Sequence, residues 1–156
     1  MTADATSRRA TVTVVIPTRN RCDLLKEAVA SVFGQRGVNV EIVVVDDESS
    51  DETARWLDGQ TDPRLRHLRL EPARERSAAR NAGLAVATTP AVHFLDDDDL
   101  LAPDALRRLT RALDRHPLAP VAVGTYATFG AYGPKEEPRR PTIGRLPVRP
   151  GRSATA

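Results

Sequence analysis

The sequence predicts an α/β fold, a mostly parallel sheet flanked by helices, on three observations. Short runs rich in valine and isoleucine alternate with segments of helical period along most of the chain. The runs are apolar at successive positions rather than at every second one, the pattern of strands covered on both faces and joined by crossover helices. The chain has 156 residues, enough for one core that buries roughly 70% of the unfolded surface and too few for two ordinary domains.

The first strand is expected at residues 12–16, ended by Pro17. Leu24, Leu25, Ala28, Val29 and Val32 then recur at steps of three and four up to Phe33, and Gly34 stops that helix. Asn20 or Asp23 is its expected N-cap. Residues 41–45 form the second strand, and residues 51–57 a short helix opened by Ser49, with Glu52 three positions later as in a capping box. A weaker third strand is expected at 66–70, a helix at 77–87, and at 91–95 a strand buried on both faces. Pro103 starts the helix that carries Leu106, Leu109 and Leu113 to His116, and Pro117 and Pro120 close it. Residues 121–125 read as a fifth strand. From Gly133 the period fails, as Pro134, Pro138, Pro141, Pro147 and Pro150 interleave with Arg139, Arg140, Arg145, Arg149 and Arg152. The expected organisation is a disordered tail at 1–10, one domain at 11–133 and a disordered Pro/Arg-rich tail at 134–156.

Hydrophobic residues at 40% and charged residues at 28% exclude a collagen-like, disulfide-dense or wholly disordered chain. Aromatics at 4% leave little to stack bases on, and a net charge of +2 is too small to call for a polyanion, so nucleic acid is not an expected partner. Cys22 is the only cysteine, which rules out an intramolecular disulfide and a cysteine-based zinc site. The opening residues lack the apolar stretch of a signal peptide, and no run of about 18 apolar residues occurs. The expectation is a cytoplasmic protein with no transmembrane segment, whose Arg-rich tail leaves peripheral membrane contact as a secondary option.

Parallel sheets of this kind bind ligands beyond the carboxyl ends of their strands, so the loops after Ile16, Val45 and Leu95 carry the chemistry. The first, Pro17 to Arg21, holds neither a G-x-G-x-x-G nor a G-x-x-x-x-G-K-[ST] signature. Without glycines to admit a pyrophosphate it should border the base or ribose of a nucleotide, with the phosphates elsewhere; a plain strand-to-helix turn is the competing account. The second loop begins with Asp46 and Asp47. A carboxylate at a strand end can accept from a base N–H or a ribose hydroxyl. Helix capping accounts for Ser49, Asp51 and Glu52 and leaves Asp46 and Asp47 unexplained. The third loop is Asp96, Asp97, Asp98 and Asp99. Two unit charges 4 Å apart repel by about 4 kcal/mol at an effective dielectric of about 20, so the run calls for a cation or for raised pKa values. Oxygen-only ligands suit Mg²⁺ or Mn²⁺, held by one or two carboxylates plus substrate phosphates. A solvated acidic loop is the alternative.

Five segments, VTVVIPTRNR (12–21), VASVFGQ (29–35), EIVVVDDESSDET (41–53), ARNAG (79–83) and FLDDDDLLAP (94–103), resemble in order and spacing the successive motifs of the family 2 glycosyltransferases, which have the GT-A fold. The resemblance implies a nucleotide-diphosphate sugar donor, Mg²⁺ or Mn²⁺ at a D-x-D motif, and inverting transfer to an acceptor that the residues do not identify. By position it implies that Pro17, Thr18 and Arg19 border the base and ribose, Arg19 standing where the family more often has an aromatic. Asp47 would accept from the base with Asp46 beside it, Arg80 would lie near the base or diphosphate, and Asn81 would support that loop. Asp96 and Asp98 are the implied D-x-D pair, Asp96 toward the ribose and Asp98 the principal metal ligand, with Asp97 between them at the donor and Asp99 the candidate catalytic or acceptor-side carboxylate. Read without the resemblance, Arg80 and Asn81 fit an exposed helix face opposite Ala79, Ala82 and Val86.

Inverting transfer needs a general base, which the family places beyond the D-x-D loop and a further strand. Past Asp114 the only carboxylates are Glu136 and Glu137, inside the proline-rich stretch. The expectation is therefore a fold incomplete at its C-terminal side: a truncated product, or a short form completed by self-association or a partner chain. Two functions compete: a metal-dependent glycosyltransferase, and a non-catalytic nucleotide-sugar-binding remnant. A nucleotidyltransferase is disfavoured, since no Gly-rich basic loop follows the first strand. His93 and Trp56 are assigned to packing, and Cys22, near a helix start, has no sequence-adjacent base to activate it.

Overall fold

The protein is described here over residues 10–125 by a computed structural model. In chain order the elements are β1 (Thr11–Thr18), α1 (Cys22–Phe33), β2 (Asn39–Asp46), α2 (Thr53–Asp58), β3 (Leu65–Arg69), α3 (Glu75–Ala85), β4 (Ala91–Phe94) and α4 (Ala105–Arg115). The strands form one parallel sheet in the order β3-β2-β1-β4. Thr11 lies opposite Asn39 and Thr18 opposite Asp46, so β1 and β2 end at the same level of the sheet.

Alternation along the two central strands divides the core. Val12, Val14 and Ile16 of β1 join Ile42 and Val44 of β2 under Leu25, Val29 and Val32 of α1, Leu57 of α2 and Leu106 of α4. Val15, Val43 and Val45 point the other way and meet Ala79 of α3. Each fully buried valine, leucine or isoleucine contributes about 1.5–3 kcal/mol. The sheet centre is therefore rigid enough to carry charged loops at its rim.

The boundaries differ from the sequence reading where tertiary context decides. β1 runs on through Pro17 to Thr18. The Val15 carbonyl accepts from Leu95 N–H at 3.0 Å, so the Pro17 nitrogen two residues later faces the same side, past the end of β4, and no ladder bond is lost. β4, expected to be buried on both faces, is half-buried, with Phe94 42% exposed, because among the described residues it pairs with β1 alone. Residues 121–125 form no strand: Val121 is 61% and Val123 76% exposed, and a strand-like composition without a neighbouring strand to bond has nothing to stabilise it. Ala10 accepts the Asn39 N–H through its carbonyl, within what was expected to be a disordered N-terminal stretch. Residues 1–9 and the expected tail at 134–156 lie outside the described residues. Among the described residues no helix is long and apolar enough to cross a membrane.

Candidate functional site

The loops after β1 and β2 cap each other. Asn20, at φ 55°, donates its N–H to Ser49 Oγ at 2.9 Å, and its Oδ1 accepts the N–H groups of Ser50 at 2.6 Å and Asp51 at 3.3 Å. Asparagine tolerates this left-handed backbone better than other non-glycine residues. In return Asp51 accepts the Cys22 N–H at the start of α1 and the Thr53 N–H at the start of α2. The expected local caps are thereby replaced. Neither Asn20 nor Asp23 caps α1, Asp23 pairing instead with Lys26, and the Ser49/Glu52 capping box does not form because the Ser49 hydroxyl is taken by Asn20.

Above these loops a cleft of about 320 Å³ opens at the carboxyl ends of β1, β2 and β4. Pro17, Thr18 and Arg19 line it at the end of the central strand β1, with Asp47 after β2 on one side and Asp96, Asp97 and Asp98 after β4 on the other. Ala79 closes it from α3. Arg21, Glu75 and Arg76 also line it, three residues to which the sequence reading gave no role. The nearest signal was electrostatic: an acidic run at a sheet rim draws basic side chains from the adjoining loops.

Asp46, expected at the donor, lies elsewhere. Adjacent residues leaving a strand face opposite sides of the sheet, and Asp46 turns with Ile42 and Val44 toward the α1–α2 side. There it is 1% exposed, accepts the Ser49 N–H at 2.9 Å and pairs with Arg69 at 2.7 Å, bracing the turn below the cleft. Asp47 turns the other way. Its Oδ1 accepts the Arg74 N–H at 2.7 Å and its Oδ2 the Glu75 N–H at 3.0 Å, holding the N-terminus of α3. Each oxygen keeps a second lone pair for a ligand donor. Glu75 sits at φ 71°, a conformation that costs a non-glycine residue on the order of 1–3 kcal/mol and here is fixed in part by Asp47.

The acidic loop is neutralised by arginines. Thr18 Oγ1 donates to Asp97 Oδ2 at 2.8 Å, and Arg21 Nη1 donates to Asp97 Oδ1 at 3.1 Å and Asp98 Oδ2 at 2.8 Å. Asp97, with Asp98 second, holds the Arg21 guanidinium above its usual pKa. Arg80 does not line the cleft but reaches Asp96 Oδ1 from α3. Asp99 stands outside the cleft too, its N–H closing a turn onto the Asp96 carbonyl at 3.1 Å, and its carboxyl is raised above the usual value by burial and then by Asp98 and Asp96. The run was expected to call for a cation or for raised pKa values, with a divalent metal as the simplest cation. Arg21 and Arg80 supply two positive charges and the Asp99 pKa is raised, so the run by itself does not require a metal. Among the described residues no three histidine, cysteine or carboxylate side chains converge on one point as a metal cage. The donor set nonetheless fits Mg²⁺ or Mn²⁺. Asp98 is 52% exposed and offers an oxygen, Oδ1, that accepts nothing among the described residues, and such ions take one or two carboxylates and complete their shell with phosphates and water.

Residues 13–154 match the model of the family described as glycosyl transferase family 2. The succinoglycan biosynthesis protein ExoO of Rhizobium meliloti (strain 1021) is 41% identical over 103 residues, 66% of this chain and 30% of that protein. The crystal structure of S. aureus TarS 1-349 in complex with UDP-GlcNAc is similar with a TM-score of 0.63 and 28% identity, over 69% of this chain and 32% of that one. The mannosyltransferase PcManGT from Pyrobaculum calidifontis, in complex with GDP-Man and Mn²⁺, gives a TM-score of 0.61 and 32% identity, over 69% and 33%. The chain spans about a third of the length of these relatives.

Proposed function

The chain belongs to glycosyl transferase family 2 and its sheet is that of the GT-A fold, and from this premise we propose that the cleft binds a nucleotide-diphosphate sugar with Mg²⁺ or Mn²⁺ and that the sugar passes, with inversion, to an acceptor hydroxyl. The observation that carries the reading is the meeting of Asp47 with Asp96, Asp97 and Asp98 across one cleft at the carboxyl ends of parallel strands. Nucleotide-bound TarS and PcManGT, the latter with Mn²⁺, support it. In this reading Pro17, Thr18 and Arg19 form the base and ribose wall, and Asp47 accepts a base N–H on the lone pairs that α3 leaves open. Asp96 faces the ribose, and Asp98 holds the ion. A divalent ion bound there neutralises charge on the departing diphosphate. Asp99 is the candidate acceptor-side carboxylate. The buried single thiol of Cys22 accords with a cytoplasmic setting.

Donor binding without transfer is the second reading. It is favoured by the engagement of Asp47, Asp96, Asp97 and Asp98 with backbone N–H groups, Thr18 or arginines, which leaves Glu75 the one cleft-lining carboxylate that accepts no hydrogen bond among the described residues. Calorimetry with UDP and GDP, in Mn²⁺ and in EDTA, tests the donor site. Tighter binding in Mn²⁺ is expected; Asp98→Ala should abolish the difference, and Asp47→Ala should weaken binding in both conditions while preserving their ratio. Equal affinities in Mn²⁺ and EDTA would refute the metal assignment. Acceptor-dependent release of nucleoside diphosphate from a panel of nucleotide sugars separates transfer from binding alone.

A further inference from the structure

Arg21 stands at the start of α1 and spreads one nitrogen over two carboxylates that differ in kind. Asp97 is buried, and its other oxygen is fixed by Thr18. Asp98 is half exposed and has no other partner among the described residues. The contact to Asp97 is therefore an anchor, and the contact to Asp98 is the one a competitor can take, since an exposed ion pair contributes little. A guanidinium has five N–H donors, and Arg21 uses Nη1 alone in the contacts among the described residues, while its side chain lines the cleft.

Resting on the donor reading above, we propose that Arg21 is an exchangeable counter-cation: it holds Asp98 before the donor arrives, cedes Asp98 to the divalent ion, and, still anchored on Asp97, presents its unused N–H groups to the donor diphosphate. The charges require this order. A guanidinium and a dication on one carboxylate repel, so the ion alone binds against Arg21. A diphosphate offers negative charge to both and converts the repulsion into a shared contact, because planar guanidinium donors match phosphate oxygens. Ion and nucleotide then bind synergistically, and the synergy passes through Arg21, which acts as a positioning residue.

The test compares wild type, Arg21→Gln and Arg21→Lys as full chains. Mn²⁺ binding without nucleotide is read from loss of the free-ion electron paramagnetic resonance signal, and UDP and GDP binding in saturating Mn²⁺ from calorimetry. Arg21→Gln should bind Mn²⁺ alone about fivefold tighter, the effect of removing a competing exposed charge, and should bind the nucleotide about tenfold weaker, the loss of a charge-assisted hydrogen bond. Arg21→Lys keeps the charge without the planar fork; its Mn²⁺ affinity should match wild type and its nucleotide affinity should fall between the other two. A purely structural Arg21 would weaken both affinities in Arg21→Gln, and that result overturns the proposal, as does unchanged Mn²⁺ affinity or no Mn²⁺ binding by any of the proteins. If Arg21→Gln does not fold, Arg21→Lys decides: loss of nucleotide affinity alone supports the proposal, and loss of both refutes it. Wild type that binds Mn²⁺ but neither UDP nor GDP would refute the donor reading and the diphosphate half of this proposal, while the Mn²⁺ comparison would still decide whether Arg21 competes for Asp98.

Discussion

Replacing Gly83 by alanine should destabilise the protein, against the sign that helix propensity gives. In an open helix interior the change gains about 1 kcal/mol. Gly83, near the end of α3, instead faces the sheet: a Cβ there would lie 2.3 Å from Val15 Cγ1 and 3.2 Å from Cγ2 of both Val15 and Val45. Carbon atoms in contact sit about 3.5–4.0 Å apart, so the nearest approach is short by more than about 1 Å. Val15 is fully buried and β-branched and has no inexpensive rotamer to move into, which leaves lifting α3 as the only relief. Overpacking costs about 1–3 kcal/mol. Lifting α3 also strains the Arg74 and Glu75 bonds to Asp47, which places the cost toward the upper part of that range. Set against the propensity gain, the net loss is about 1–2 kcal/mol. Urea unfolding, at a slope of about 2 kcal/mol/M, should show the midpoint fall by about 0.5–1 M. Gly59 is the control, since its Cβ would meet only the Trp56 and Arg55 carbonyls at 3.5 and 3.6 Å. Gly59→Ala should stay within about 0.5 kcal/mol of wild type. An unchanged or raised midpoint in Gly83→Ala would refute the close seating of α3 that shapes this wall of the cleft.

Other perturbations act on the loops below the cleft. Burial pushes the Asp51 carboxyl up, but hydrogen bonds from Thr53 and from the Cys22 N–H outweigh it and hold the group below its ordinary value of 3.8. Its contribution is thus present above that value and lost as pH falls through the lower folded one, so the Tm values of wild type and Asp51→Ala should differ at neutral pH and converge in acid; a gap independent of pH would count against the cross-loop cap. Thr18→Val removes the donor to Asp97 Oδ2 and should cost about 1–3 kcal/mol in urea unfolding, with Thr18→Ser close to wild type; equal stability of all three would show that this oxygen is satisfied otherwise.

What the sequence disclosed depended on how local the determining physics is. The valine runs of β1 and β2 are buried whichever strands flank them, so composition sufficed to find them. β4 and residues 121–125 have similar composition, but their burial depends on neighbours in the sheet, which composition does not specify. Asp46 and Asp47 were equal candidates as letters, and strand alternation separated them, one to Arg69 and one to the cleft. Asn20 and Asp51 cap elements across about thirty positions of chain, beyond the reach of a local capping pattern. Arg21 meets Asp97 only because β1 and β4 pair in register, so its role became visible in three dimensions alone.

The central claim, that the cleft is a metal-assisted nucleotide-sugar site, is tested most directly by diffraction at the manganese edge from crystals grown with Mn²⁺ and UDP or GDP. The account predicts a single strong anomalous peak at coordination distance, about 2.1 Å, from an Asp98 carboxylate oxygen, with the diphosphate bridging toward Arg21 and the base beside Asp47. A peak away from the acidic loop, or a nucleotide ordered outside the cleft lined by Thr18, Asp47 and Asp97, would contradict it.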